Sequence, residues 1–176
     1  MLSSHEEFYV ELLNERGEVV GTKKRKDVDK RMDFLHGVYV LVFSKDKKLV
    51  LCRIPQAAKQ KKLYAGRLGA TAATIVRHRE PLEVAARRVL ATELFIDYAD
   101  LAMLGEKMEC YEDEVRRLVA VFYCTHKEPV MQNPQEQDEL VELTRKEVEH
   151  LIKSDPAKFS LPFLSLWEAY QDRLPF

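Results

Sequence analysis

EPLEVAARRVLATELFI, Glu80 to Ile96, is the stretch whose reading decides the fold. A run of small and β-branched residues, LGATAATIV, Leu68 to Val76, precedes it. Pro81 suits a first helical turn because its missing N–H has no bond to lose there. Leu82, Ala85, Ala86, Val89, Leu90 and Leu94 then recur at helical spacing and form one apolar stripe. The pattern predicts a strand, a polar loop, a lead acid and a helix, in that order.

The same stretch fits the spacing of the Nudix box. That box runs G, five residues, E, seven residues, then R-E-U-x-E-E-x-G-U, where U is a large aliphatic. Glu80 takes the first E, Arg88 the R, Leu90 and Ile96 the two U places, and Glu93 the last E. Thr74 stands for the first Gly, Val89 for the Glu after Arg, Thr92 for the first Glu of the pair, and Phe95 for the final Gly. The chain therefore resembles a Nudix protein with a degenerate box. The resemblance implies an α/β fold, an α/β/α sandwich around a mixed β-sheet. For intact members it implies cleavage of a diphosphate bond in a nucleoside diphosphate linked to another moiety, by water attacking phosphorus with Mg2+ or Mn2+. Carried onto this chain, Glu93 and Glu80 would hold metal and Arg88 would orient the helix through a salt bridge. Glu139, or an acid between Glu109 and Glu114, would be the candidate base.

The departures bear directly on that chemistry. Positions 89, 92 and 93 are three and four residues apart, so a helix gathers them on one face. Mg2+ takes oxygen donors in octahedral array, commonly one or two carboxylates with substrate phosphates and water. Val89 brings no oxygen and Thr92 only a neutral hydroxyl. The metal is expected to be weakly held, and hydrolysis weakened or altered. A catalytically silent nucleotide- or diphosphate-binding protein on the same fold is the alternative.

Working outward, residues 7 to 21, EFYVELLNERGEVVG, read as a hairpin, with Asn14 to Gly17 as the turn. This opening resembles the branch of Nudix proteins related to isopentenyl-diphosphate isomerase. The isomerase itself is set aside: Ala73 stands at its nucleophilic Cys and Ile75 at a nearby metal His. The charge-dense TKKRKDVDKRM that follows is a solvated linker or exposed helix before it is a phosphate-facing patch, because charge runs are usually solvated. Leu35 to Phe43 and Leu49 to Ile54 read as the central hairpin of a sheet, with His36 at its entrance. The basic loop PQAAKQKK and LYAGRLGAT, with Gly66 kept at the turn, lead into the box strand. Arg53, Lys61, Lys62 and Arg67 flank the place where a diphosphate would lie, and Arg and Lys suit phosphate as fork and point charge.

Leu101 to Lys107 and Arg117 to Cys124 read as further strands, with the acidic CYEDEV between them as a solvated hairpin tip. Asp138 to Ile152 reads as a short strand and then a helix, with Thr144 and Glu147 spaced as a capping box. Phe159 to Tyr170 reads as an aromatic helix whose Phe163 and Trp167 serve the core or a homodimer contact.

At 176 residues the chain is expected to form one domain over 1–176, with the hairpin as an extension and the core over about residues 34–170. Lys and Arg number 28 against 29 Asp and Glu, so no basic field points to nucleic acid. No signal-peptide pattern opens the chain and no apolar run reaches membrane-spanning length. Three scattered cysteines, with no metal-binding spacing, fit reduced thiols in the cytoplasm. The expected partner is a small nucleotide or diphosphate.

Overall fold

A computed structural model describes residues 7–29, 31–56, 64–110, 116–134, 136 and 139–176. Its organising element is β3 (Leu35–Ser44), in which every residue but His36 is buried. A strand buried on both faces needs a continuous apolar run, and LHGVYVLVF supplies it. The period of two divides its side chains. Val38, Val40 and Val42 join one apolar cluster, while Tyr39, Leu41 and Phe43 join another on the opposite face.

The hairpin forms from β1 (Tyr9–Leu13) and β2 (Val19–Lys24), antiparallel, and touches β3 through the single register pair Leu12 and Leu35. The remaining strands are β4 (Leu49–Arg53), β5 (Leu68–Gly69), β6 (Ala72–Ile75), β7 (Ala102–Cys110), β8 (Arg116–His126) and β9 (Glu139–Leu143). β8 runs parallel to β3 along its full length and pairs antiparallel with β7. β4 pairs antiparallel with β5 and β9. Against the remaining edge of β3 lie first β6, from Gly37 to Val40, and then β4, from Val42. This is the mixed sheet expected from the sequence.

The run Leu68 to Val76, expected as one strand, is divided at Ala70 and Thr71. The division has a cause. Thr71 is fully buried where β3 passes from β6 to β4. Its Oγ1 accepts the Val42 N–H at 2.8 Å and donates to the Val50 carbonyl. One hydroxyl therefore stitches two diverging strands where backbone pairing lapses.

Helix α1 (Leu82–Leu94) covers the Val38–Val40–Val42 face with Ala85, Ala86, Val89, Leu90 and Leu94. Pro81 is its N-cap and lies outside the first turn, with extended φ and ψ. The helix ends in a left-handed residue, Phe95, at φ 56°. α2 (Arg145–Ser154) begins with the expected capping box: Thr144 N–H donates to Glu147 Oε2 at 2.7 Å and Glu147 N–H to Thr144 Oγ1 at 3.3 Å. α3 (Leu161–Tyr170) covers the Tyr39–Leu41–Phe43 face, so the layers are α/β/α. It starts later than the sequence suggests. Phe159 forms a parallel bridge with Leu68, and Ser160 caps the helix by accepting the Phe163 N–H. Phe163 and Trp167 pack with Phe159 and Phe176 inside this layer. Phe163 and Trp167, 1% and 6% exposed, belong to the chain's own core. Among the described residues, no helix is long and apolar enough to cross a membrane.

Candidate functional site

The box residues meet where α1 docks on β6. Glu80 ends the loop between them, and its carboxylate receives Arg88 as a fork: Nε to Oε1 at 2.6 Å and Nη2 to Oε2 at 2.8 Å. The Arg77 backbone N–H adds a third donor to Oε2 at 2.8 Å. Arg88 also reaches back to β6, donating from Nη2 to the Ile75 carbonyl at 3.0 Å and from Nη1 to Thr74 Oγ1 at 3.2 Å. The pair is largely withdrawn from water, with 9% of the Glu80 side chain and 22% of the Arg88 side chain exposed. Burial pushes the Glu80 carboxyl up. The Arg88 hydrogen bonds, the Arg77 N–H and the charges of both arginines more than offset this, leaving it below the usual carboxylate range. Arg88 thus holds the helix against the strand, and both Glu80 oxygens face that task rather than a metal. Thr74, a mere departure from the box in the sequence, contributes its hydroxyl to the same clasp.

The other box positions divide sharply. Val89 is buried in the α1-side cluster. Thr92 turns its hydroxyl back onto its own helix, donating toward the Arg88 carbonyl at 3.0 Å with that of Val89 at 3.3 Å. Glu93 is the only carboxylate among the three positions and is itself only 8% exposed. Beside it, Asn133 closes the end of the helix: its N–H donates to the Glu93 carbonyl at 2.7 Å and its Nδ2 to the Thr92 carbonyl at 3.0 Å. A long-range cap of this kind, 41 residues from Thr92, leaves no signal in local sequence.

Arg53 and Glu139, expected as phosphate ligand and base, are register partners on β4 and β9. They are brought together and spend their charges on each other, Nε to Oε2 at 2.6 Å. Arg53 Nη1 also donates to the Gly66 carbonyl at 2.9 Å. Gly66 holds φ +77°, which explains why a glycine sits at this turn. The Arg53–Glu139 pair is exposed, and such pairs contribute only about 0–1 kcal/mol, so a phosphate could displace it cheaply. Arg67 lies at the far end of the same turn, over the Tyr64 ring at 5.9 Å. Lys61, Lys62, Glu112, Asp113 and Glu114 lie outside the described residues.

Glu109 departs from expectation. It is no solvated tip acid but a buried residue on β7. It accepts the Ser165 Oγ–H at 2.9 Å and lies 3.5 Å from Lys107 Nζ, tying β7 to α3. His36 pairs through Nε2 with Glu106 at 2.8 Å, as an ordinary strand histidine would. Cys52 and Cys124 are buried in the sheet and form no disulfide, and burial pushes the Cys124 thiol up to about 11, which disfavours its thiolate.

The protein's own side chains, among the described residues, do not compose an oxygen cage for Mg2+ or Mn2+. Among the described residues, no group of three or more His, Cys, Asp or Glu side chains is placed to hold a metal ion. Glu80 is committed to Arg88, position 89 is apolar, and Thr92 is turned inward.

No protein-family model and no curated protein sequence matches the chain. Solved structures do. The chain superposes on DR0079 from Deinococcus radiodurans with a TM-score of 0.74 at 20% identity, covering 92% of this chain and 99% of that one. The MutT protein from Methanosarcina mazei Go1 gives 0.65 at 16% identity, covering 83% and 97%. The Nudix domain of Shewanella oneidensis NrtR, solved with ADP ribose, gives 0.61 at 13% identity, covering 87% and 94%. At these identities the likeness establishes the fold: the chain has a Nudix-type fold.

Proposed function

We propose that this Nudix-fold chain binds a small nucleotide or diphosphate and that its metal-dependent hydrolysis has fallen silent. The observation that carries the reading is the fate of the helix face that would gather metal. Its first position is a core valine, its second a hydroxyl bonded to its own helix, and only Glu93 keeps a carboxylate. Phosphoryl transfer depends mainly on positioning and on neutralising charge on the phosphoryl oxygens. On this helix face, among the described residues, a divalent ion reaching Glu93 would meet one carboxylate, too few for a two-ion clamp. The scaffold that holds the helix, Glu80 and Arg88, is kept in full. That combination suits a cleft retained for binding after its cation grip was lost.

Support for the ligand class comes from the basic residues Arg53 and Arg67 around the Gly66 turn, and from the ADP ribose held by one protein of like fold. The N-terminal hairpin, and Glu93 as the one glutamate kept among positions 89, 92 and 93, support a place near the isomerase-like branch. The test is a panel of nucleoside diphosphate compounds with Mg2+ or Mn2+, followed both by calorimetric binding and by phosphate release. Binding without turnover is the expected outcome. Metal-dependent release that Glu93→Gln abolishes would overturn it in favour of a working hydrolase.

A further inference from the structure

The loop that joins β6 to α1 is gripped by the N-terminal hairpin. Three successive residues of the loop meet it. The Arg77 guanidinium lies over the Phe8 ring, 4.9 Å from its centroid. The His78 N–H donates to the Tyr9 carbonyl at 2.8 Å. Glu11, half-buried on β1, makes two contacts with one oxygen: its Oε1 accepts the Arg79 N–H at 3.2 Å and lies 3.0 Å from His78 Nδ1. The hairpin meets β3 at the single register pair Leu12 and Leu35, so the box loop is a second point at which it is fixed to the domain.

Arg79 requires such a hold. It stands in the left-handed region at φ 58°, a conformation costly to a residue with a Cβ and free to glycine. Backbone of this kind persists where its surroundings over-determine it, and it gathers at functional sites. The turn around Arg79 closes on Glu80. The Glu80 N–H donates to the Arg77 carbonyl at 3.1 Å, and the Arg77 N–H returns to Glu80 Oε2 at 2.8 Å. The same carboxylate takes the Arg88 fork. Contacts therefore run from Glu11 through the turn to Glu80 and Arg88, and so to the helix that carries Glu93.

We infer that Glu11 is a positioning residue for the box. Its carboxylate fixes the left-handed turn at Arg79, and the turn delivers Glu80 to Arg88. The hairpin is thereby a working part of the site. That the site so held receives a diphosphate rests on the function proposed above.

The experiment follows amide hydrogen exchange by NMR on the full chain. Glu11→Ala should speed exchange of the Arg77 and Glu80 N–H groups by about tenfold or more, the loss of a charge-assisted hydrogen bond to the turn. The amides of α3, on the other face of the sheet, should keep their wild-type rates. Glu11→Gln keeps an acceptor for the Arg79 N–H and should lose less protection; it also serves if Glu11→Ala does not fold. Arg79→Gly relieves the turn, so Glu11→Ala should cost that variant less protection at Glu80 than it costs the wild type. A rise shared by every slow amide marks a merely structural glutamate and overturns the inference. No rise at Arg77 and Glu80, or equal loss with and without Arg79→Gly, overturns it too. In calorimetry with Mg2+, adenosine diphosphate should bind Glu11→Ala about threefold or more weakly than the wild type; equal binding overturns the role of Glu11 in the site. If adenosine diphosphate does not bind the wild type, the proposed function fails for that ligand, and the exchange pattern alone decides whether Glu11 sets the turn.

Discussion

Cutting the Glu80–Arg88 clasp should loosen the box helix by a predictable amount. Removing one partner of a well-buried ion pair costs about 3–5 kcal/mol, because the other charge is left without compensation. Here Arg88 keeps some contact with water and Glu80 keeps the Arg77 N–H, so Arg88→Gln should cost about 2–3 kcal/mol. For a chain of this size that is a fall of roughly 4–10 °C in midpoint. Glu80→Gln should cost less, since its amide oxygen can still accept the Arg77 N–H. The double variant should be less damaged than the sum of the two, by a coupling of at least about 1 kcal/mol. The pH dependence has a definite sign. Glu80 is held below its ordinary value of 4.5, so the stability it contributes is complete above that value and is lost as pH falls through the folded-state value. Urea unfolding at neutral pH and again at about pH 3.5 should therefore show the gap between wild type and Arg88→Gln narrowing in acid. An unchanged gap, or additive single variants, would refute the argument that this fork orients the helix.

Thr71→Val is nearly isosteric yet should cost about 2–4 kcal/mol, since it orphans the buried Val42 N–H and takes a donor from the Val50 carbonyl. Thr71→Ser keeps the hydroxyl and should cost only about 1 kcal/mol for the lost methyl; chemical denaturation of the two variants side by side checks the order. At Phe95, held at φ 56° and more than half exposed, glycine should exceed alanine in stability by about 1 kcal/mol, because only the glycine relieves the left-handed strain. Equal melting of Phe95→Gly and Phe95→Ala would show that the backbone there carries no such strain.

Local pattern was enough for the elements that stand on their own residues. LHGVYVLVF reads as a strand of the central hairpin, and the apolar stripe from Leu82 to Leu94 as an amphipathic helix; the structure has both. Thr144 and Glu147 announced their capping box because both partners lie within one turn. The resemblance to the Nudix box implied a helix-orienting salt bridge for Arg88 but gave Glu80 to metal; that Glu80 is the partner of Arg88 came from the structure.

What the sequence could not determine was what each polar group would be spent on, because that depends on neighbours brought from far along the chain. Arg53 and Glu139 looked like separate instruments until sheet pairing made them partners. Glu109 looked like a solvated acid until α3 laid Ser165 against it. Asn133 became a helix cap only through contacts across the fold. Periodicity records which face of an element is buried. The energy of a charge is set by what stands opposite it, and here only the tertiary structure decides that.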